Sequence, residues 1–589
     1  MKLTGIQLDK NELGYIQTIE EGEQMMKFEN YTYTRPDMNE IEKQFEKAIT
    51  HFTEAASVSQ QNEAIRLAND AYSQYSTMGN ICYIRHSIDT ANEFYKEEQD
   101  YFDETQPLLE GYVEKFYKAL ISSPFKQQLE EKWGKQLFSL AEMQLKTFSP
   151  EIVKELQEEN KLSSQYTKLV ASAKIVFEGE ERTLAQLDPF MESPDREMRK
   201  KAAEAKFQFF TDHEEEFDDI YDKLVKVRTK LAEKLGYKNF VEVGYARMSR
   251  IGYDAEMVAA FRKQVKEYIV PLTEKLKKRQ QERIQVESLT YYDEPFQFET
   301  GNAVPKGDEK WIIENGRVMY KELSKETDEF FSFMLENNLM DLVAKKGKAG
   351  GGYCTFIEEY KAPFIFSNFN GTSGDIDVLT HEAGHAFQVY SSRDMETNEY
   401  HWPTHEGAEI HSMSMEYFTW PWMELFFKED KDKYQFSHLS SGLTFLPYGV
   451  AVDEFQHAVY ERPEMTPSER KQTWREIEKK YMPSKNYDGH HYLESGGFWQ
   501  RQLHIYTSPF YYIDYTLAQI CAFQFWKKDR ENHEQAWQDY VHLCKLGGSK
   551  PFLELVEEAN LISPFEEGCV QSVVDEIENY LNSIDDKKL

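Results

Sequence analysis

The sequence predicts a mainly α protein with a small β-sheet. Apolar residues recur at spacings of three and four over most of the 589 residues, the period of helices that bury one face. Strand chemistry is confined to two short stretches, 174–184 and 353–369. No segment repeats at a fixed period, so a solenoid is not expected.

Composition is that of a folded chain with several cores. Hydrophobic residues make up 40% and aromatics 14%, and the length suggests two to four domains. The net charge of -34, from 69 basic and 103 acidic residues, argues against nucleic acid and anionic membrane as partners. Solubility is the plain account of that charge. Five scattered cysteines without a C-x-x-C pair read as reduced thiols in a cytoplasmic protein. The start, Met1 to Gln7, lacks an apolar h-region and is followed by Asp9 and Glu12. No run of eighteen apolar residues occurs, so neither a secretory signal nor a membrane span is expected.

In chain order, residues 1 to about 35 read as irregular, and a helix begins at Asp37. Ile41, Phe45, Ile49 and Phe52 form its apolar stripe. Further helical segments include Tyr72 to Arg85 and Leu108 to Phe125. Lys174 to Leu184 reads as a short hairpin around Gly179. Ser193 as cap with Pro194 in the first turn reads as a helix start. A boundary near residue 190 separates an N-terminal helical region, 1–190, from a second region, 191–589. Leu224, Val227, Leu231 and Leu235 form a stripe closed by Gly236. Val258, Phe261, Val265 and Ile269 form another, kinked or interrupted at Pro271. The stretch from about 290 to 318 reads as a long loop. Gly347 to Gly352 is a glycine-rich turn; without a following G-K-[ST] it is no phosphate loop. Tyr353–Tyr360 and Pro363–Phe369 read as adjacent strands, and helices resume from about residue 375.

Thr380-His381-Glu382-Ala383-Gly384-His385-Ala386 is the stretch that carries chemistry. On a helix His381 and His385 share a face and can reach one metal ion, with Glu382 beside a water on that metal. This H-E-x-x-H pattern belongs to zinc peptidases; two core histidines are the plain alternative. A catalytic zinc keeps three protein ligands and an open position. Position 391 is Ser391, which excludes a third histidine at the next turn but one. A carboxylate from the next helix is the alternative. Glu406, Glu409 and Glu416 lie three and seven apart on one face, and spacing does not choose among them. Glu409 is the most central, flanked by Ala408, Ser412 and Met413. Glu416 suits an acceptor for a ligand histidine. His401, His405 and His411 are rival ligands on composition alone.

Three blocks carry a resemblance. Phe366-Ser367-Asn368-Phe369 with Leu379 to Phe387, then Ala408 to Phe418, then His504-Ile505-Tyr506 with Pro509 to Tyr515 resemble the oligoendopeptidase F branch of the thimet oligopeptidase family. The likeness covers about residues 190–580; the N-terminal helices match in character only. It implies a two-lobed helical peptidase around a deep channel, cutting short peptides with one zinc ion. It also implies His381, His385 and Glu409 as zinc ligands and Glu382 as general base. His504 and Tyr515, with Tyr512, would assist the oxyanion. The plain alternative for the block with Tyr506, Tyr511, Tyr512 and Tyr515 is an aromatic core. The strand from Tyr353 suits pairing with an extended substrate, for which proline at Thr355 or Glu359 is a probe. A zinc carboxypeptidase and a peptide-binding scaffold with an inert metal are the competing readings; the intact Glu382 argues against the scaffold. The sequence leaves the oligomeric state open, a monomer being slightly favoured.

Overall fold

The structure, a computed structural model, describes residues 26–589, and helices account for 71% of the chain. The expectation of an irregular start without a secretory h-region falls, for residues 1–25, outside the described residues. Helix α1 (Met38–Thr53) begins at Asp37, whose side chain accepts from the Asn39 N–H, and it buries Ile41, Phe45, Ala48 and Phe52. With α2 (Val58–Ile88), α3 (Glu93–Ile121) and the helices Lys126–Trp133 and Lys135–Thr147 it encloses an apolar core of its own. Pro107 lies inside α3; it removes one backbone bond without ending the helix. From Phe148 onward the chain shares a second, larger core.

The two lobes meet at several places, residues 398–402 among them. The Tyr400 hydroxyl donates to Trp133 O at 2.6 Å and accepts from Leu137 N at 2.8 Å, while Tyr117 donates to Glu399 at 2.5 Å. A cavity between the lobes is lined by Tyr72, Glu110, Tyr117, Glu358, Glu399 and Trp402.

Local chemistry explains most of the boundaries. Strands β1 (Ile175–Phe177) and β2 (Glu180–Arg182) pair antiparallel, turned by Glu178 and Gly179 at φ of 50° and 79°. After a short helix at Asp188–Met191, the helix Arg196–Asp212 is capped by Asp195 and not by Ser193. Ser193 instead accepts from the Asp195 N–H, so the start lies two residues later than the serine-proline pair suggests. The stripe Val258 to Ile269 is buried throughout. It is interrupted by a π-helical turn at Val265–Ile269, before the helix Val270–Arg283 that carries Pro271. The long loop is shorter than expected, because Asp308 caps a helix Glu309–Leu323 by accepting from Trp311 N.

The sheet beside the candidate site has three strands, one more than the sequence suggests. β3 (Met340–Val343) pairs parallel with β5 (Ala362–Phe369), and β4 (Tyr353–Ile357) pairs antiparallel with it. The order β3-β5-β4 leaves β4 at the edge. β4 ends at Ile357, since Glu358–Tyr360 form a tight turn closed by left-handed Lys361. Four helices then build the site: α4 (Gly374–Ser392), α5 (His405–Phe418), α6 (Lys431–Glu461) and α7 (Tyr512–Glu531). Helix α5 packs against both α4 and α7, and α6 packs against α7. Among the described residues no helix is long and apolar enough to cross a membrane, and all five cysteines are free thiols.

Candidate metal centre

Helix α4 starts from a turn that its own Asp375 holds, accepting from Asn370 N at 2.8 Å and Gly371 N at 2.9 Å. Ile376, Leu379, Ala383, Ala386 and Phe387 anchor it in the large core. His381 and His385 project from one face toward α5. The approach of α5 depends on Gly384: a Cβ there would lie 2.6 Å from Ser412 Cα and 2.7 Å from His411 O. Neither backbone atom can yield, so glycine is required for the helices to touch. That contact brings Glu409 Oε2 to 3.2 Å from His381 Nε2 and 3.4 Å from His385 Nε2. The three groups offer ligand atoms all within 4.8 Å of one another.

The surrounding hydrogen bonds fix how these groups point. His381 Nδ1 donates to Glu416 Oε1 at 2.7 Å. The other oxygen of Glu416 faces His438 Nε2 at 2.7 Å. The Trp420 indole, which can only donate, bonds His438 Nδ1 at 3.1 Å. The proton of neutral His438 therefore sits on Nε2, and Glu416 accepts from two imidazoles. His381 Nε2, the nitrogen left for a metal, faces Glu409. Burial lowers the pKa of this imidazole, but the Glu409 and Glu416 carboxylates outweigh burial and hold it well above the usual histidine value. Glu409 in turn accepts from Ser412 Oγ at 2.8 Å on Oε2 and from the Tyr511 hydroxyl at 2.5 Å on Oε1. Its side chain is 1% exposed. Burial pushes its pKa up, but the His385 and His381 imidazoles outweigh burial and hold it well below the usual carboxylate range. Beside Glu409, His385 Nδ1 and Glu382 Oε2 are buried without a hydrogen-bond partner among the described residues. Burial raises the pKa of Glu382 against the pull of the neighbouring His381 and His385.

The late aromatic block splits in two. Tyr506 is core: it stacks on Tyr166 at 4.0 Å and its hydroxyl donates to Phe217 O at 3.4 Å. His504, Tyr511, Tyr512 and Tyr515 instead form a partly exposed wall beside Glu409. His504 Nε2 lies 3.0 Å from the Tyr515 hydroxyl, and Tyr511 stacks on Tyr515 at 4.9 Å. Tyr512 meets His504 and Tyr515 edge-on at 5.2 and 5.4 Å. Burial lowers the pKa of His504 to about 4, so it is neutral at pH 7.

The remaining candidates lie outside the cluster. Glu406 is buried and accepts from Tyr253 at 3.1 Å. His401 bonds Glu358 at 2.8 Å, His405 packs on Tyr511 at 4.3 Å, and His411 is buried behind α5. The glycine-rich turn approaches Glu382 itself: a Cβ on Gly352 would lie 3.2 Å from Glu382 Oε1 and 3.1 Å from Val378. The edge of β4 is only partly free. Asn80 Nδ2 from α2 donates to Phe356 O at 2.7 Å, and Thr77 Oγ1 accepts from Glu359 N. Peptide groups alternate between the two edges of a strand. Phe356 and Cys354 therefore face outward, whereas Thr355 faces β5. Neither Thr355 nor Glu359 is an open edge position, contrary to the probe that the sequence suggests.

Several groups in this network escape the sequence reading. Ser412 stands three residues from Glu409 on the same helix, a spacing that could have found it. His438 and Trp420 reach the site from separate elements and leave no local signal.

The description Peptidase family M3 matches residues 189–304 and 315–574, and Peptidase M3 N-terminal domain matches residues 28–148. Oligopeptidase PepF of Bacillus subtilis (strain 168) is 22% identical over 415 residues, covering 67% of this chain and 59% of that protein. The match thus spans less than two thirds of that curated relative. Solved structures are more similar. PZ peptidase A with inhibitor 2 is 69% identical, covering 95% of this chain and 100% of that one, at a TM-score of 0.95. A putative oligoendopeptidase F from Bacillus anthracis str. Ames is 64% identical, covering 96% and 99%, at a TM-score of 0.91.

Proposed function

The chain belongs to peptidase family M3, in its oligoendopeptidase F group, and on that premise we propose that it is a cytoplasmic zinc-dependent oligoendopeptidase, cutting internal bonds of short peptides. The observation that carries the reading is the convergence of His381, His385 and Glu409 on one point beside Glu382. These three residues would hold one zinc ion. Two imidazole nitrogens and a carboxylate are a zinc donor set. Tetrahedral bonds of 2.0–2.2 Å set ligand atoms roughly 3.3 Å apart, against 3.2 and 3.4 Å here. When bound, zinc supplies Lewis acidity that lowers the pKa of a coordinated water to about 7.

The chain's own side chains do the rest. Glu382 takes the proton of the attacking water on its unpartnered Oε2 and hands it to the leaving amine. Its raised pKa suits a group that must both accept and return a proton. The carbonyl oxygen gaining negative charge is met by the Tyr515 hydroxyl, with His504 behind it and Tyr512 closing the wall. An extended substrate can pair with the open edge of β4 at Cys354, just past Gly352. The cavity between the lobes, bordered by the Trp402 that packs beside His385, would receive a short, unfolded chain.

A carboxypeptidase reading has one observation behind it. Arg501 lines a cavity with Lys277, Lys485 and Glu294. The two lysines pair with Glu294, but Arg501 has no carboxylate partner among the described residues. A quenched peptide blocked at both ends separates the readings, since only an endopeptidase cuts it. The decisive test is Glu382→Gln. It should keep one zinc per chain by elemental analysis and lose turnover by on the order of 10²–10⁴-fold. Full turnover in a zinc-loaded variant would overturn the mechanism.

A further inference from the structure

Between the aromatic wall and the helix α6 runs a line of hydrogen bonds that the mechanism above does not use. Tyr448 from α6 bonds Gln502 Oε1 at 2.9 Å. Gln502 Nε2 bonds His504 Nδ1 at 2.8 Å. His504 Nε2 bonds the Tyr515 hydroxyl at 3.0 Å. Each link has one direction. The Tyr448 hydroxyl donates to Gln502 Oε1, an amide oxygen that only accepts. That sets the amide with its NH₂ toward His504, making Nδ1 an acceptor. No carboxylate bonds His504, and burial keeps it neutral. Its single proton is then on Nε2, and it donates to the Tyr515 oxygen.

We infer that Gln502 is a positioning residue, which sets the tautomer of His504 and thereby turns the Tyr515 proton toward the substrate. The inference rests on the proposed role of Tyr515 as oxyanion donor. Tyr515 accepts from His504, so its own proton must point elsewhere. The Tyr511 hydroxyl, itself donated to Glu409 Oε1, is the neighbour that the Tyr515 proton meets in the resting site, and a developing oxyanion competes for that proton. Without the amide, His504 can carry its proton on Nδ1, and Nε2 then accepts the Tyr515 proton.

Gln502→Glu keeps the shape and replaces the donor with a group that only accepts. The introduced carboxylate draws the His504 proton to Nδ1 and the Tyr515 proton to Nε2. The expected result is a kcat lowered about tenfold to a hundredfold, with KM within about twofold and zinc content unchanged. In a Tyr515→Phe background the same change should cost no more than about twofold, because both act through one hydroxyl. Nitrogen-15 spectra of histidine-labelled protein, with the His504 signals assigned from His504→Asn, should show Nε2 protonated in the wild type and Nδ1 protonated in Gln502→Glu. A wild-type His504 protonated on Nδ1 overturns the inference. So does an undiminished kcat, or an equal loss with and without Tyr515. Full turnover in Glu382→Gln would bring down the peptidase mechanism and this inference with it. An inactive Glu382→Gln beside a silent Gln502→Glu brings down the inference alone.

Discussion

His381, His385 and Glu409 come from two helices in backbone contact, whereas His504, Tyr511 and Tyr515 come from the short helix Leu503–Thr507, a turn and the first turn of α7. The ligand half is placed by helical periodicity and one glycine. The donor half is placed by a hydrogen-bonded line that starts on α6. The two halves therefore differ in what disturbs them. A packing change should scatter the ligands, while a change of donor into acceptor should misdirect the donors without moving them. Both halves meet at Glu409, whose two oxygens receive Ser412 from one side and Tyr511 from the other.

Gly384→Ala should break the ligand half most severely. Its Cβ would press on Ser412 Cα and His411 O, and overpacking of this kind costs about 1–3 kcal/mol. Relief requires α5 to move away, carrying Glu409 off the histidines. The expected outcome is a lower unfolding temperature together with zinc lost to a competing chelator. Unchanged zinc affinity in this variant would mean that the helix contact does not set the ligand geometry.

Glu416→Gln should act on the same half more gently. The amide oxygen can still accept from His381 Nδ1, but the negative charge shared by His381 and His438 is gone. Loss of such a partner lowers metal affinity by about 10–100-fold. Chelator competition reads the change. The amide NH₂ also faces the Nε2–H of His438, donor against donor, so the stability of the zinc-free protein to thermal unfolding should fall as well, by about 1–3 kcal/mol. Unchanged zinc affinity beside that loss would assign Glu416 to packing and not to ligand orientation.

The same contrast separates what the sequence could tell from what it could not. His381 and His385 are readable because four residues on a helix are neighbours in space. Glu409 is half readable: periodicity puts it on a face with Glu406 and Glu416, and only the close packing at Gly384 distinguishes them. The helices around Ile41, Leu224 and Val258 were legible from apolar spacing, and the hairpin at Gly179 from turn chemistry. The cap at Asp195 and the helix after Asp308 were not, since several capping residues compete within a few positions. β3 was missed because four residues carry too little alternation to declare a strand. The line from Tyr448 through Gln502 to Tyr515 joins residues 67 apart, and nothing in the local pattern of either end points to the other.

The smallest effect concerns the strand that both halves face. A proline removes one N–H, and adjacent residues of β4 present theirs to opposite edges. Thr355 pairs with Phe364, so Thr355→Pro should cost stability and leave KM alone in whatever fraction folds. Cys354 faces the open edge, so Cys354→Pro should leave the sheet intact and weaken substrate pairing. One backbone hydrogen bond is worth about 0.5–1.5 kcal/mol, which corresponds to a KM raised about two- to tenfold. Steady-state kinetics on one short peptide, beside thermal unfolding of both variants, measures the split. If the two prolines alter KM equally, substrate does not add to this edge, and its alignment must come from the helices α4 to α7 alone.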